Sequence, residues 1–490
     1  MNEFILENNK SLPSSWTRSK LDNLCELIGG GTPSRNNLEY FGGNIIWLTP
    51  TEIPKNMIVP ISDSKEKITN LGLKKSSAKI IPKESVLLTS RASIGYVAIA
   101  GKDVTTNQGF ASFICHESLF NYYLAYWLWC NKENLESEAT GTTFKEISKS
   151  KLRELIIPLP PLNEQKRIVA KIEELFSLIS NISNLLDNTK KQTRVYEKMI
   201  IFNTLSGKYT EEWRKNHSNL NGSYTLSKIF EERKRFLGKK YVEIEPEIQN
   251  TLTIPDSWKW TSLNNISEKI VDGVHFTPNY TESGIPFLSV KDIKNDRINF
   301  DDCKFISKED HNELIKRCNP EFNDVLITKS GTIGRTAVIN TKKFFSLFVS
   351  VALIKISHNH LDPYYLNYVL KNFMNHIDIA QKIKGGVIKN FHLEDLRLVP
   401  IPIPNLEEQK EIVSVLDTHM TIINNYKMSI DELKQKIDVL KSSILKTAFE
   451  GKLVPQDPND EPAEILLQKI KQEKQLIQKQ KPSRSTKNVK

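Results

Sequence analysis

Apolar residues recur in alternating steps of four and three along two long stretches of the chain. The first runs Ile168, Ile172, Leu175, Ile179, Ile182, Leu186, Thr189, Thr193, Tyr196, Ile200. The second runs Ile412, Leu416, His419, Ile423, Tyr426, Ile430, Leu433, Ile437, Leu440, Ile444. An average step of 3.5 is the seam of a coiled coil, narrower than the stripe of a helix lying on a globular core. Pro160-Pro161 and Pro404 close the segments on their N-terminal sides, and Gly207 and Gly451 stand where a C-cap is expected. Each predicted helix of about 40 residues spans roughly 60 Å at 1.5 Å per residue. Two such seams are hidden most simply by pairing with each other. A whole domain separates them in sequence, so an antiparallel pair is geometrically possible. His419 puts a polar group on the seam, where it can fix alignment.

Ahead of each helix the period changes to short apolar runs broken by turn residues. Leu12-Pro13-Ser14-Ser15-Trp16 opens the first region and Ile254-Pro255-Asp256-Ser257-Trp258 the second. Ile45-Ile46-Trp47-Leu48 is matched by Ile285-Pro286-Phe287-Leu288, and Val86-Leu87-Leu88-Thr89 by Val325-Leu326-Ile327-Thr328. These runs predict strands, with one helix near Tyr122-Tyr123-Leu124 and another near Tyr364-Tyr365-Leu366. The expected fold class is α+β: two mixed domains separated by two long helices that form an antiparallel coiled coil, with an internal two-fold repeat. The boundaries follow as 1–160 (first domain), 161–207 (first helix), 208–250 (polar linker with a short helix near 226–236), 251–404 (second domain), 405–451 (second helix) and 452–490 (short helix and basic tail).

The repeat is most literal around the helices. Residues 152–208 align without a gap on 396–452, so that Glu164-Gln165-Lys166-x-Ile168-Val169 returns as Glu408-Gln409-Lys410-x-Ile412-Val413. Between the shared phrases the domains diverge. Gly29-Gly30-Gly31-Thr32-Pro33-Ser34-Arg35 stands in the first where the second has Asp272-Gly273-Val274-His275-Phe276-Thr277-Pro278. One frame with unlike loops places specificity in the loops.

Composition narrows the class. At 490 residues the chain is too long for one core. It shows no membrane-length apolar run and no signal-peptide pattern at its start, and its five cysteines lack CxxC spacing, so a cytoplasmic protein with reduced thiols is expected. The net charge of +10 suggests a polyanionic partner, but eight basic residues and one acidic from Lys469 to Lys490 carry +7 of it. Global charge is therefore weak support for nucleic-acid binding.

No catalytic constellation emerges. Asp362-Pro363-Tyr364-Tyr365 is close to a base-gripping methyltransferase motif, yet Phe120-Asn121-Tyr122-Tyr123 loses it in the repeat, and a proline opening a helix accounts for it. Ser206-Gly207-Lys208 lacks the upstream glycine of a phosphate loop and reads as a helix C-cap. His358-x-His360 is an isolated pair, and no metal is expected. What remains are loop donors suited to DNA. In the first domain these are Thr32, Ser34, Arg35, Ser90, Arg91, Thr142, Thr143 and Lys145; in the second they are His275, Thr277, Lys329, Ser330, Arg335, Lys389 and Asn390. Arginine can bond two acceptors on guanine, asparagine two on adenine, and lysine holds phosphates.

With these phrases assembled, the chain resembles the specificity subunit of type I restriction-modification systems across nearly its full length. The resemblance rests on the two Ser-Trp openings, on Ile157-Pro158-Leu159-Pro160-Pro161-Leu162-x-Glu164-Gln165 and its partner at 401–409, and on Ala448-Phe449-Glu450-Gly451-Lys452-Leu453-Val454-Pro455. It implies two target recognition domains, each reading one half of a split, asymmetric DNA target, with the helices as a ruler for the gap. It also implies a non-catalytic chain. Two modification subunits would dock on the helical region, including Ile168 to Ile182 and Ile412 to Tyr426, and methylate adenine at N6 with S-adenosylmethionine. Restriction subunits would add translocation and cleavage driven by ATP and Mg2+. A scaffold whose two heads bind other proteins is the alternative, and an enzyme with its own transferase or nuclease activity is a second.

Overall fold

The computed structural model describes residues 12–141, 145–246, 252–294, 296–376, 390–469 and 472. The chain divides into two compact units, residues 1–186 with 431–490 and residues 187–430. Each long helix is therefore shared between units.

In the first unit, β2 (Cys25–Gly29), β9 (Phe110–Cys115), β6 (Val86–Thr89), β7 (Val97–Ala100) and β4 (Pro60–Ile61) form one sheet in that order. A second sheet holds β5 (Glu66–Ile68), β3 (Phe41–Leu48) and β8 (Thr105–Thr106). β1 (Thr17–Lys20) pairs antiparallel with β10 (Ile156–Leu159). All four residues of β6 and of β7 are buried, as continuous branched aliphatic runs require. Helix α1 (Asn121–Cys130) is buried along Tyr123–Leu128.

The second unit repeats this plan. Its main sheet is β12 (Ser267–Asp272), β20 (Val351–Ile356), β17 (Val325–Thr328) and β18 (Thr336–Val338). The companion sheet is β16 (Lys304–Ile306), β13 (Ile285–Leu288) and β19 (Ser346–Leu347), and β11 (Lys259–Ser262) pairs with β21 (Pro400–Ile403). Among the described residues the edge strand β4 has no counterpart in this main sheet; a separate hairpin, β14 (Ile293–Lys294) with β15 (Arg297–Ile298), is present instead. The predicted linker helix is Gly222–Leu237, here α3, with Asn221 accepting from Tyr224 N as its N-cap. Helix α4 is Pro363–His376.

The long helices are α2 (Leu162–Leu205) and α5 (Leu406–Phe449), each of 44 residues and thus about 66 Å long. In the first unit the start of α2 shares a core with the end of α5: Ile168, Ile172 and Ile179 lie with Ile444, Leu445, Ala448 and Phe449. In the second unit Ile200, Ile201 and Leu205 lie with Ile412, Leu416, Met420 and Ile423. The start of each helix meets the end of the other, which is antiparallel pairing.

The buried stripe departs from the expected list at several points, and Tyr196, Leu433 and Leu440 are exposed among them. Met420 is buried where His419 is only half-buried, because the step after Leu416 is four residues and not three. His419 instead faces the ring of Tyr209, with centroids 6.0 Å apart. Ile182 and Tyr426 are 50% and 62% exposed. A straight helix turns every 3.6 residues, so a strict 3.5 pattern drifts off the contact line unless the helices supercoil. The polar pair on the seam is Glu197 with Lys427, 2.6 Å apart, and both side chains are mostly covered.

The phrases that repeat most faithfully join each domain to its helix. Trp16 Nε1 donates to Glu164 Oε1 at 3.0 Å, and Trp258 Nε1 to Glu408 Oε2 at 2.9 Å. Gln165 accepts from Phe120 N and donates to Ser118 O and Pro160 O. Gln409 accepts from Asp362 N and donates to His360 O and Pro404 O. Each glutamate also holds the segment that follows the other helix: Glu164 accepts from Gln456, and Glu408 from Thr210 and Arg214. The two anchors differ in charge, since Glu408 pairs with the Arg214 guanidinium while Glu164 bonds two neutral donors. Burial raises the Glu164 carboxyl above its ordinary value despite those two hydrogen bonds.

Candidate nucleic-acid interface

In the first domain the candidate donors sit on loops at the ends of β2 and β6. Gly30 and Gly31 have no room for a side chain: a Cβ would meet Asn107 O at 1.9 Å and Ala78 N at 2.3 Å, respectively. The backbone is thereby pressed onto its neighbours, and Thr32 hydrogen-bonds Gln108. Ser34 is exposed at the loop tip. Arg35 lies over the Phe41 and Trp47 rings and forms a two-pronged bond to Glu66 at 2.6 and 2.7 Å. That bond lowers the Glu66 carboxyl below its usual value. Ser90 is buried, and its backbone bonds Gly109 O and Ile147 N. Arg91 forms an isolated bridge with Glu146, with Nε 3.8 Å from the carboxylate, and Ala92 N donates to Lys145 O. The structure thus brings Ser90, Arg91 and Lys145 together. Thr32 reaches the same region through Gln108, the neighbour of Gly109. Thr142 and Thr143 lie outside the described residues.

In the second domain, the loop after β12 and the turn after β17 meet through a carboxylate absent from the candidate set. Asp272, at the end of β12, is 4% exposed in its side chain. Its Oδ2 lies 3.0 Å from Lys329 Nζ, and its Oδ1 accepts from Arg317 Nη2 at 2.5 Å and lies 3.2 Å from His275 Nε2. Burial pushes the Asp272 carboxyl up, but the bonds from Lys329 and His275 outweigh it and leave it below the ordinary value. Lys329 is therefore a buried cation with a fixed partner, not a loose phosphate contact. Ser330 bridges Asn390, the same arrangement as Arg91 with Glu146. Arg335 reaches Ile293 O at 3.2 Å, away from this group, and Thr277 is exposed on the β12 loop. Lys389 lies outside the described residues.

The residues that sequence reasoning passed over are Asp272, Arg317, Glu66 and Glu146. Carboxylates are unpromising against phosphate, and their role here is to hold cations. Arg317 follows a short helix at Lys308–Leu314, far in sequence from both loops, and no local pattern ties it to Asp272. Among the described residues, no group of three His, Cys, Asp or Glu side chains is placed to hold a metal ion. Among them, too, no helix is long and apolar enough to cross a membrane.

The model of the type I restriction modification DNA specificity domain matches the chain twice, at residues 13–190 and 255–435. The type I restriction enzyme MjaIX specificity subunit of Methanocaldococcus jannaschii is 29% identical over 452 residues, covering 89% of this chain and 94% of that one. Two solved structures share the fold. A chain from a structure on complex assembly and conformational transition of a type I restriction-modification system has a TM-score of 0.65 at 20% identity, covering 90% of this chain and all of that one. The HsdS subunit of Thermoanaerobacter tengcongensis has a TM-score of 0.53 at 21% identity, covering 91% of this chain and all of that one.

Proposed function

The chain belongs to the type I restriction-modification DNA specificity family, and we propose that it reads a bipartite, asymmetric DNA target, one half with each domain. It is a specificity subunit, a non-catalytic component that recognises DNA sequence and directs partner subunits. The observation that carries the two-part reading is the pairing of one frame with two chemistries. The sheets and helix anchors repeat, while the loop ends carry Arg35–Glu66 and Arg91–Glu146 in one domain and Asp272–Lys329–Arg317–His275 in the other. Unlike loops on like frames suit unlike half-sites on one duplex.

The partners in this reading are two modification subunits, joined in a cleaving complex by restriction subunits, in the cytoplasm. S-adenosylmethionine would bind to the modification subunits for N6-adenine methylation, and ATP with Mg2+ to the restriction subunits. Exposed apolar side chains along the long helices, among them Ile182, Leu185, Tyr426 and Leu433, offer a surface to such partners.

The decisive experiment is selection from a random duplex library by the full chain, alone and with modification subunits. A consensus of two unlike halves at fixed spacing is expected. Failure to enrich any sequence would leave the protein-scaffold alternative standing. Removing one heptad from α2 and the matching heptad from α5 is expected to change the spacing and leave both half-sites intact. An unchanged spacing removes the ruler role.

A further inference from the structure

The three groups around Asp272 are more than charge balance requires. Lys329, 6% exposed in its side chain, is enough by itself to neutralise the buried carboxylate at 3.0 Å. Arg317 and His275 add two further donors to the same carboxylate, and their side chains are 53% and 61% exposed. With Lys329 already compensating the buried charge, a further half-exposed cation adds little stability, because ordering a long side chain offsets an attraction screened by solvent. Holding Arg317 still therefore has little value to the fold. It has large value to a ligand, since a guanidinium already fixed loses less freedom on binding.

The geometry suits a base edge. Arg317 is tethered to Asp272 and approaches His275 through Nη2, which leaves Nε and Nη1 for other acceptors. Guanine presents two acceptors, O6 and N7, side by side in the major groove, and arginine is the side chain that spans them. His275 follows Asp272 on the same loop, ahead of exposed Phe276 and Thr277. Among the described residues, the first domain lacks this device. The β2 position equivalent to Asp272 is Gly29, over which the Lys149 ammonium lies so closely that a Cβ would be 1.7 Å from it.

We propose that Arg317 and His275, held by the buried carboxylate of Asp272, are the base-reading pair of the second domain, with Arg317 taking a guanine in its half-site. Asp272 is then a positioning residue and Lys329 the cation that allows it to be buried. This assignment rests on the DNA-recognition reading above and narrows it to named atoms.

The test repeats the library selection with Arg317→Ala, Arg317→Lys, His275→Ala and Asp272→Asn in the full chain. Arg317→Ala is expected to lose about tenfold or more of the preference at one or two base pairs of one half-site only. Arg317→Lys keeps the charge but not the fork, so overall affinity stays near that of the parent while the same preference is lost. His275→Ala relaxes a base pair in that same half-site. Asp272→Asn is expected to relax the same positions as Arg317→Ala. A purely structural Asp272 would instead lower the melting temperature and weaken the whole half-site evenly. Should Asp272→Asn fail to fold, the exposed Arg317 variants carry the test. An unchanged consensus from Arg317→Ala, or a uniform loss across all sequences that marks a phosphate contact, overturns the assignment while the parent's bipartite consensus still supports the DNA reading. A parent chain that enriches nothing overturns both.

Discussion

The same two positions of the shared sheet are filled in opposite ways in the two domains. In the first, Ser85 precedes β6 and Ile114 lies on β9; the equivalent positions of the second hold Asp324 and Lys355. Asp324 is 3% exposed in its side chain and lies 2.7 Å from Lys355 Nζ, which also reaches Glu321 at 2.8 Å. A second pair of positions behaves alike, with Gly29 and Ser90 opposed to Asp272 and Lys329. The backbone accepts either solution, but the charges change in couples. At these sites each buried carboxylate sits beside its cation, so that removing one member strands the other.

That rule can be broken deliberately. Lys355→Ile leaves Asp324 buried without its ammonium and is expected to cost about 3–5 kcal/mol in the second unit. Adding Asp324→Ser, so that both positions match the first domain, is expected to restore most of that loss. Denaturant unfolding of the parent, both single variants and the double variant closes the cycle. A double-variant loss equal to the sum of the two single losses would show that the pair is not coupled.

The glutamate anchors offer a second, smaller contrast. Glu408→Gln strands the Arg214 guanidinium and is expected to cost about 3 kcal/mol, whereas Glu164→Gln has no such cation to strand and is expected to cost less than about 1 kcal/mol. Hydrogen exchange read segment by segment separates the two units. The pH dependence sharpens the point. The folded-state value of Glu164 is raised, so its contribution is fully present below the unfolded carboxyl value and is lost as pH rises through the folded one. The Glu164→Gln variant is expected to gain on the parent as pH rises across that window. A constant difference between the two chains would show that Glu164 is ionised alike in both states.

The smallest expected effect is at Arg35. Its bond to Glu66 joins two side chains about half exposed, so Arg35→Ala is expected to change stability by less than about 1 kcal/mol while altering DNA selection in the first half-site. A thermal melt alongside the library selection separates the two effects, and a large loss of stability would mark Arg35 as structural.

The sequence by itself determined the repeat, the two long helices and the strand phrases, because each is a local period. Helix boundaries at Leu162 and Leu406 follow directly from the prolines before them. Which seam residues are buried was less legible. The substitution of Met420 for His419 depends on a single step of four, and a 3.5 average does not reveal where that step falls. The Ser-Trp and Glu-Gln phrases were visible as words, yet their hydrogen bonds to each other span 148 and 150 residues and only the folded chain joins them. The same holds for Asp272 and Arg317, which are 45 residues apart. Local periodicity encodes elements, since backbone geometry sets it residue by residue. Partnerships between buried charges are set by which loops the sheets bring together, and that is decided only when the tertiary structure closes.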